Sequence, residues 1–400
     1  MKKRCVLMVL DGKFPGDIRV EKEALVIGRN HKVVVLSSKD RKGSSTSSSY
    51  TLDQSGPSLN KYLLSVRQIF LGILFIDPWV FFSVKKAIKI HNPDFIHVHD
   101  LPQFNSVYKA ANGIPVVLDL HENYPEASLV WFAWRQSALL KLKHSIANNY
   151  SRWKRFEKWS CLRAHLIIAV VDEMKSKLIK DFGIEPEKIR VISNTESASF
   201  LDSIENTKST IFDSSKKNIL YIGGIGPHRG LDDAIIGMGK IRKDLSDSLV
   251  LNIIGGGHSD NINYLKNIVK KEGLESRVKF FSSVPSYMVS RLMKDADINL
   301  IPHKSNGHCD NTIPHKLFQS ILVGKPLVVS SSSPLKRIAS SVGLNSVFDA
   351  DNPTSFAKTI EEVLDNYDEL LLKASKASLL IREGENSWKR TEEKLESLYI

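Results

Sequence analysis

Cysteine is scarce in this chain. The three that occur, Cys5, Cys161 and Cys309, are odd in number, far apart and in no Cys-x-x-Cys pair. That excludes a disulfide framework and a cysteine-rich zinc site, and a reducing cytosol fits. Long apolar runs are missing too. The most hydrophobic stretch, residues 68–76, is closed by Arg67 and by Asp77-Pro78, well short of the ~20 apolar residues of a spanning helix. The start, Met1-Lys2-Lys3-Arg4 and then residues 5–10, resembles a secretory signal. Its apolar run stops at Asp11 without a small-residue cleavage site, so a first buried strand is expected. No Gly-Lys-Ser/Thr and no Gly-x-Ser-x-Gly occur, which excludes a Walker loop and a hydrolase elbow.

Acidic residues are in deficit: 44 Asp+Glu face 56 Lys+Arg, a formal net charge of +12. Such a surface favours anionic partners. The charged and hydrophobic fractions, 25% and 42%, are ordinary globular usage and exclude a disordered or fibrous chain. At 400 residues the chain is too long for one core, since single cores stop growing near ~250–300 residues.

What is present is an alternation of short β-branched runs with helical patterns. Strands are expected at 5–10, 33–36, 95–98, 116–118, 166–171 and 189–192. A second series follows at 219–222, 250–254, 278–281, 298–301 and 327–329. Helices are expected at 20–29, 231–242, 264–271 and 286–294. This rhythm means βαβ units, hence an α/β fold of two doubly wound, Rossmann-like domains with parallel sheets. The polar stretch 196–217 reads as a linker between a domain at 1–195 and one at 218–385, with 386–400 as a closing segment. Residues 39–57, with a serine run at 44–49, read as a surface loop, with a lid as the alternative. In such sheets ligands sit beyond the carboxyl ends of the strands.

Two of the loops there carry chemistry. Gly223-Gly224-Ile225-Gly226-Pro227-His228-Arg229-Gly230 follows a strand and opens a helix. Glycines let backbone N–H groups approach an anion, and Arg229 adds a permanent charged fork for phosphate oxygens. A tight turn with a surface Arg is the plainer reading. Asn311-Thr312-Ile313-Pro314-His315-Lys316-Leu317-Phe318-Gln319, closed by Gly324-Lys325-Pro326, opens another helix whose free N–H groups make a second anion site. An ordinary capped helix is its plainer reading.

These segments resemble the phosphate loop and the Glu-x7-Glu helix of glycosyltransferase family 4 enzymes of the GT-B fold. His97-Val98-His99-Asp100, Asp119-Leu120-His121-Glu122, Val191-Ile192-Ser193-Asn194, Ile254-Gly255-Gly256-Gly257 and the end at 388–399 match in the same order. The resemblance implies that the C-terminal domain binds a nucleotide-sugar donor and the N-terminal domain the acceptor, and that the last helix returns to the first domain. It also implies retention at the anomeric carbon and no cofactor or metal. Carried over by position, Arg229 holds the diphosphate with the loop at Gly223 and Gly224. Asn311 faces the sugar and Gln319 the ribose. Thr312, Ile313, Pro314 and His315 cradle the distal phosphate with Lys316 nearby, and Ser283 and Val284 meet the base. His121 sits over the sugar, and Gly16 lets the first loop approach the donor. Three departures stand out: both Glu positions are amides, Asn311 and Gln319, and the first basic position of the phosphate loop is Gly224. They point to an altered donor preference.

His97 and His99 share a strand face, but without a third ligand at supporting spacing they read as a polar cluster. Asp295-Ala296-Asp297 and Asp349-Ala350-Asp351 are two-carboxylate coincidences. Between 135 and 163 the basic residues Arg135, Lys141, Lys143, Arg152, Lys154, Arg155, Lys158 and Arg163 face one acid, Glu157, with Trp131, Trp134, Trp153 and Trp159 in or beside them. Cationic helices with aromatic anchors suit an anionic membrane surface. The alternative is a stripe of Trp153, Phe156 and Trp159 turned inward. No nucleic-acid module is present. The expectation is a cytoplasmic, peripherally membrane-bound transferase acting on a lipid-linked or glycan acceptor in cell-surface polysaccharide assembly. A nucleotide-sugar 2-epimerase and a non-catalytic nucleotide-sugar-binding adaptor are the alternatives.

Overall fold

A computed structural model describes residues 3–37, 48–53, 61–132, 149–204 and 211–399. The chain divides into two compact units, Met1–Ser193 with Thr391–Ile400, and Asn194–Arg390.

The first unit holds seven strands: β1 Cys5–Leu10, β2 Lys32–Ser37, β3 Tyr50–Asp53, β4 Phe95–His99, β5 Val116–Leu120, β6 Leu166–Ala169 and β7 Ile189–Val191. They pair in parallel in the order β3-β2-β1-β4-β5-β6-β7. Every residue of β1 and β5 is buried, as a sheet covered on both faces requires. Strand β3 lies inside the expected loop 39–57. Its Tyr-Thr-Leu-Asp sequence is too short and polar to stand out, and pairing with β2 makes it a strand. The serines at 44–47 lie outside the described residues.

The helices between are α1 Ile18–Ile27, α2 Lys61–Leu74, α3 Pro78–His91, α4 Phe104–Ala111, α5 Tyr124–Phe132, α6 Tyr150–Arg163 and α7 Asp172–Phe182. Asp17 caps α1 by accepting from the Arg19 and Val20 N–H groups, and Asp77 caps α3 from Val80 with Pro78 at its first turn. No helix among the described residues is long and apolar enough to cross a membrane.

The second unit has six parallel strands: β8 Lys217–Ile222, β9 Leu249–Ile254, β10 Val278–Phe281, β11 Ile298–Ile301, β12 Leu327–Ser330 and β13 Val347–Phe348, ordered β10-β9-β8-β11-β12-β13. Helix α8, Leu231–Met238, follows β8, and α9, His315–Leu322, follows β11. The helix expected at 231–242 stops early, at Gly239. Described parts of the expected linker 196–217 belong to this unit. Phe200, Leu201, Ile211 and Phe212 pack against the core of Leu220, Ile254 and Leu292. Helix α10, Trp388–Glu396, carries the chain from the second unit into the first, where Tyr399 is 1% exposed. Arg29 pairs there with Glu392 at 2.7 Å.

Candidate functional site

In the second unit the glycine loop leaves β8 at Gly223, which has φ +133°. A Cβ at Gly255 would fall 1.9 Å from the Gly223 carbonyl oxygen, so the turns after β8 and β9 touch through backbone alone. A Cβ at Gly230 would fall 1.8 Å from the Pro302 oxygen. Only glycine permits either approach. The loop after β11 is thereby held against the start of α8. Lys304 fastens it with ion pairs to Asp232 at 3.1 Å and Asp233 at 2.8 Å, and Lys304 N donates to the His228 carbonyl at 3.1 Å.

This frame places two cations. Arg229 Nη1 donates to His303 Nε2 at 2.8 Å, while its buried Nε has no partner among the described residues. The Lys316 Nζ is buried, has no hydrogen-bond partner among the described residues, and stands 3.8 Å from the centroid of the Tyr221 ring. A Cβ on Gly223 would lie 3.5 Å from that Nζ, whereas one on Gly224 would meet nothing within 4 Å. The loop and the lysine therefore face one another.

The electrostatics favour an incoming anion. Burial, with Arg229 beside it, depresses the Lys316 ammonium well below its ordinary value. Burial likewise holds His228 down at about 2 and His308 at about 4, with the Arg229 charge acting the same way. His303, also driven far down by burial, stays a neutral acceptor for Arg229. Neither basic side chain has a carboxylate partner among the described residues, so both suit an incoming negative charge.

The residues around α9 extend this frame. Asn311 Nδ2 donates to the Gly307 carbonyl at 2.8 Å, which shapes its own loop. Ile313 is buried, and its carbonyl accepts from Asn194 Nδ2 at 2.8 Å. Thr312, Pro314 and His315 lead into α9, whose Leu317 N–H donates to the Pro314 carbonyl at 3.1 Å. Gln319 Nε2 donates to Glu196 Oε2 at 2.8 Å. A carboxylate thus lies beside the amide at 319, brought from 123 residues upstream. Sequence reading missed Glu196, because only tertiary contact pairs it with α9. Ser283 is exposed and Val284 half-buried just beyond β10, and a Cβ on Gly256 would sit 3.0 Å from Ser283 Oγ.

In the first unit the strand ends of β4 and β5 gather a buried polar cluster. Asp119 Oδ2 lies 2.9 Å from His121 Nε2 and 3.3 Å from His99 Nδ1, and Arg19 grips both carboxylate oxygens at 2.8 and 3.2 Å. Arg19 also meets Glu23 at 3.0 Å. His97 Nδ1 and the Tyr399 hydroxyl are 2.8 Å apart. Burial works against a charged His121, but Asp100 and Asp119 outweigh it and push it up to about 10. Burial also works against Asp119 as an anion, yet Arg19 and His121 hold its carboxyl well below the usual range. Burial pushes the Glu23 carboxyl up to about 7 in spite of Arg19. Gly16, at φ +140°, donates its N–H to Glu21 Oε1 at 2.5 Å.

The reading of His97 and His99 as lacking a third ligand is corrected here. Glu23 and Asp119 join them, with four ligand-type atoms within 4.8 Å of one another. Sequence spacing hid this, because Glu23 lies on α1. The Arg19 guanidinium already bridges Glu23 and Asp119, so this set has a cation of its own.

The residues expected to face a membrane divide. Arg135, Lys141 and Lys143, with Trp134, lie outside the described residues. Arg152 and Lys154 are half-buried and engaged, Arg152 on the Gly72 and Ile73 carbonyls and Lys154 on Asp181 at 2.9 Å. Arg155 and Lys158 are exposed. Trp153 and Phe156 are buried rather than exposed as anchors, because Phe75 stacks on Phe156 and meets Trp153 edge-on.

Two family models match the chain side by side: Glycosyltransferase Family 4 over residues 24–195, and Glycosyl transferases group 1 over 202–379. An uncharacterized glycosyltransferase of Methanocaldococcus jannaschii is 24% identical over 210 residues. That match takes in 50% of this chain and 51% of the relative, so the chain spans about half the length of this curated relative. Among solved structures, sucrose-phosphate synthase of Thermosynechococcus elongatus superposes with a TM-score of 0.75 at 12% identity, covering 99% of this chain and 98% of that one. Anabaena HepE in complex with UDP and glucose gives 0.71 at 15%, covering 98% of each. At these identities the likeness is one of fold.

Proposed function

The chain belongs to the family-4 type of GT-B glycosyltransferases, and from that premise we propose that it moves a sugar from a nucleotide-sugar to a lipid-linked or glycan acceptor. Retention at the anomeric carbon, independence of metal, work in cell-surface polysaccharide assembly and a place at the cytoplasmic face of a membrane are parts of the same proposal.

One observation carries the donor half: the Lys316 Nζ and the Arg229 Nε are buried, lack hydrogen-bond partners among the described residues, and stand about a glycine loop. Breaking a sugar–phosphate bond leaves charge on the departing diphosphate. Donors fixed beforehand where that charge grows lower the barrier, and one of them is worth ~2.7–4 kcal/mol. Arg229, Lys316 and the N–H groups opening α9 have that character. The likeness to a protein crystallised with UDP and glucose supports a nucleoside diphosphate as the leaving group. In the first unit His121, held by Asp119 and Asp100, is the residue proposed to serve the transferred sugar.

The test is a melting-temperature screen against nucleoside diphosphates and nucleotide-sugars, since a ligand that binds only the folded state raises the melting point by mass action. A selective upward shift with one base, followed by diphosphate release that requires an acceptor, is the expected result. Release without acceptor indicates epimerisation or hydrolysis, and no shift with any nucleotide overturns the reading.

A further inference from the structure

Helices α2, α3 and α6 contain a single acid, Glu157, and it is 1% exposed. Where α2 ends against α6 a cavity of about 330 Å³ opens in the first unit. Small-ligand sites run from ~300 to ~1,000 Å³, so this one takes a headgroup and the first few carbons of a long molecule. Its apolar wall is Leu74, Phe75, Phe156 and Trp159. Phe75 and Phe156 stack at 4.4 Å, and Trp159 stacks on Phe156 at 5.9 Å.

Three polar side chains line the same space. Arg152 donates to the Gly72 and Ile73 carbonyls, closing the C-terminal end of α2. Arg155 is exposed and makes no hydrogen bond or ion pair among the described residues. Asn105 is 8% exposed, and its Oδ1 has no hydrogen-bond partner among the described residues. A buried amide oxygen without a partner is costly. Here the O–H of a singly protonated phosphate head would satisfy it.

The cavity continues into an apolar surface. Leu74, which lines it, is 55% exposed, and Ile69, Phe70 and Ile73 are 52%, 38% and 46% exposed on the same helix. With Val66, also exposed, these residues keep the i, i+3, i+4, i+7 spacing of one helix face. Inward, the Trp153 ring lies 5.7 Å from Phe156 and 4.5 Å from Tyr124, three residues beyond His121. Free phosphate gains nothing from the rings. A plain hydrocarbon leaves Arg155 and Asn105 unused. A molecule with both a phosphate and a chain uses all of them.

We propose that this cavity binds a phosphate-headed lipid, with the phosphate at Arg155 and the chain running out over the exposed face of α2. Naming that lipid as the sugar acceptor rests on the transferase reading; the binding itself does not.

Binding is tested without turnover by titrating the intact chain with farnesyl phosphate and following tryptophan fluorescence, with Trp159→Phe to assign the signal. Farnesyl phosphate should bind at least tenfold more tightly than farnesol or inorganic phosphate, and Arg155→Ala should weaken it about tenfold, the scale of one charge-assisted hydrogen bond. Arg155 is exposed, so this variant folds. An unchanged affinity in Arg155→Ala, equal binding of farnesol, or equal binding of inorganic phosphate each overturns the proposal. So does binding to phosphatidylglycerol vesicles without binding of farnesyl phosphate, which would mark a bilayer surface. Nucleoside diphosphate shifts measured on the same variant separate the two readings. Absence of those shifts in both the variant and the parent chain sinks the transferase reading alone, and absence of farnesyl phosphate binding where those shifts are present sinks the cavity alone.

Discussion

Lys316 holds its side-chain nitrogen 3.8 Å from the centre of the Tyr221 ring, with no hydrogen-bond acceptor among the described residues, on the side from which a Cβ at Gly223 would approach it to 3.5 Å. The ring supplies a face attractive to a cation without neutralising it. The nitrogen thus stays available to an anion in the glycine loop.

That arrangement has a protonic consequence. Burial and Arg229 depress Lys316 in the free protein, and a bound diphosphate raises it again. Between the two values, binding takes up a proton, and affinity falls as pH rises. Titration calorimetry with UDP or GDP in buffers of differing ionisation enthalpy should show fractional proton uptake, and Lys316→Met should abolish it. Buffer-independent heats would contradict this.

Gly224 offers a gain-of-function test. A Cβ there meets nothing within 4 Å, and the glycine does not sit at positive φ. Gly224→Arg should therefore fold normally and tighten nucleoside diphosphate binding about tenfold, the effect of a charge-assisted hydrogen bond worth ~1.5 kcal/mol. Gly230→Ala, forced onto the Pro302 oxygen, should instead lower the melting temperature by several degrees. Equal behaviour of the two variants would refute the loop geometry.

Gln319 donates to Glu196, so Gln319→Glu would set two carboxylates at hydrogen-bond distance. Like charges that close share a proton rather than both ionise. The variant should melt lower than the parent at pH 7, by roughly the equivalent of 1 kcal/mol. The deficit should shrink as pH falls toward ~4, because a carboxyl raised in the folded state destabilises only above its unfolded value near ~4.3. A deficit independent of pH would show that the contact does not matter.

His121 gives the opposite sign. Its folded value is raised to about 10 by Asp100 and Asp119 against burial, above the unfolded ~6.5. Its contribution is therefore complete below about pH 6.5 and lost as pH rises toward 10. Urea unfolding across that window should show the parent losing more stability than His121→Gln. Parallel curves would mean that Asp119 does not hold the imidazolium.

The parallel sheets were legible because β-branched runs such as residues 5–10 and 250–254 are buried on both faces and read as continuous apolar segments. Strand β3 was not, since Tyr50–Asp53 is short and polar and exists by pairing with β2. Local pattern exposed the glycine loop and Lys316. It hid Glu196, which meets Gln319 in the second unit, and the Glu23–Asp119 pair, which joins the histidines of the first unit, because each comes from a distant stretch of chain. It also left open whether Trp153 faced outward; Phe75, brought by α2, turns that question inward.

Stabilisation of a departing diphosphate by Arg229 and its loop is the step on which the proposed transfer turns. Its most direct test is the ratio of kcat/KM between the parent chain and Arg229→Ala on the nucleotide-sugar that the melting screen selects, with circular dichroism confirming the fold. A fall of ~10²–10³ is predicted, as for removal of one preorganised donor. Near-normal turnover in a folded Arg229→Ala protein would contradict it.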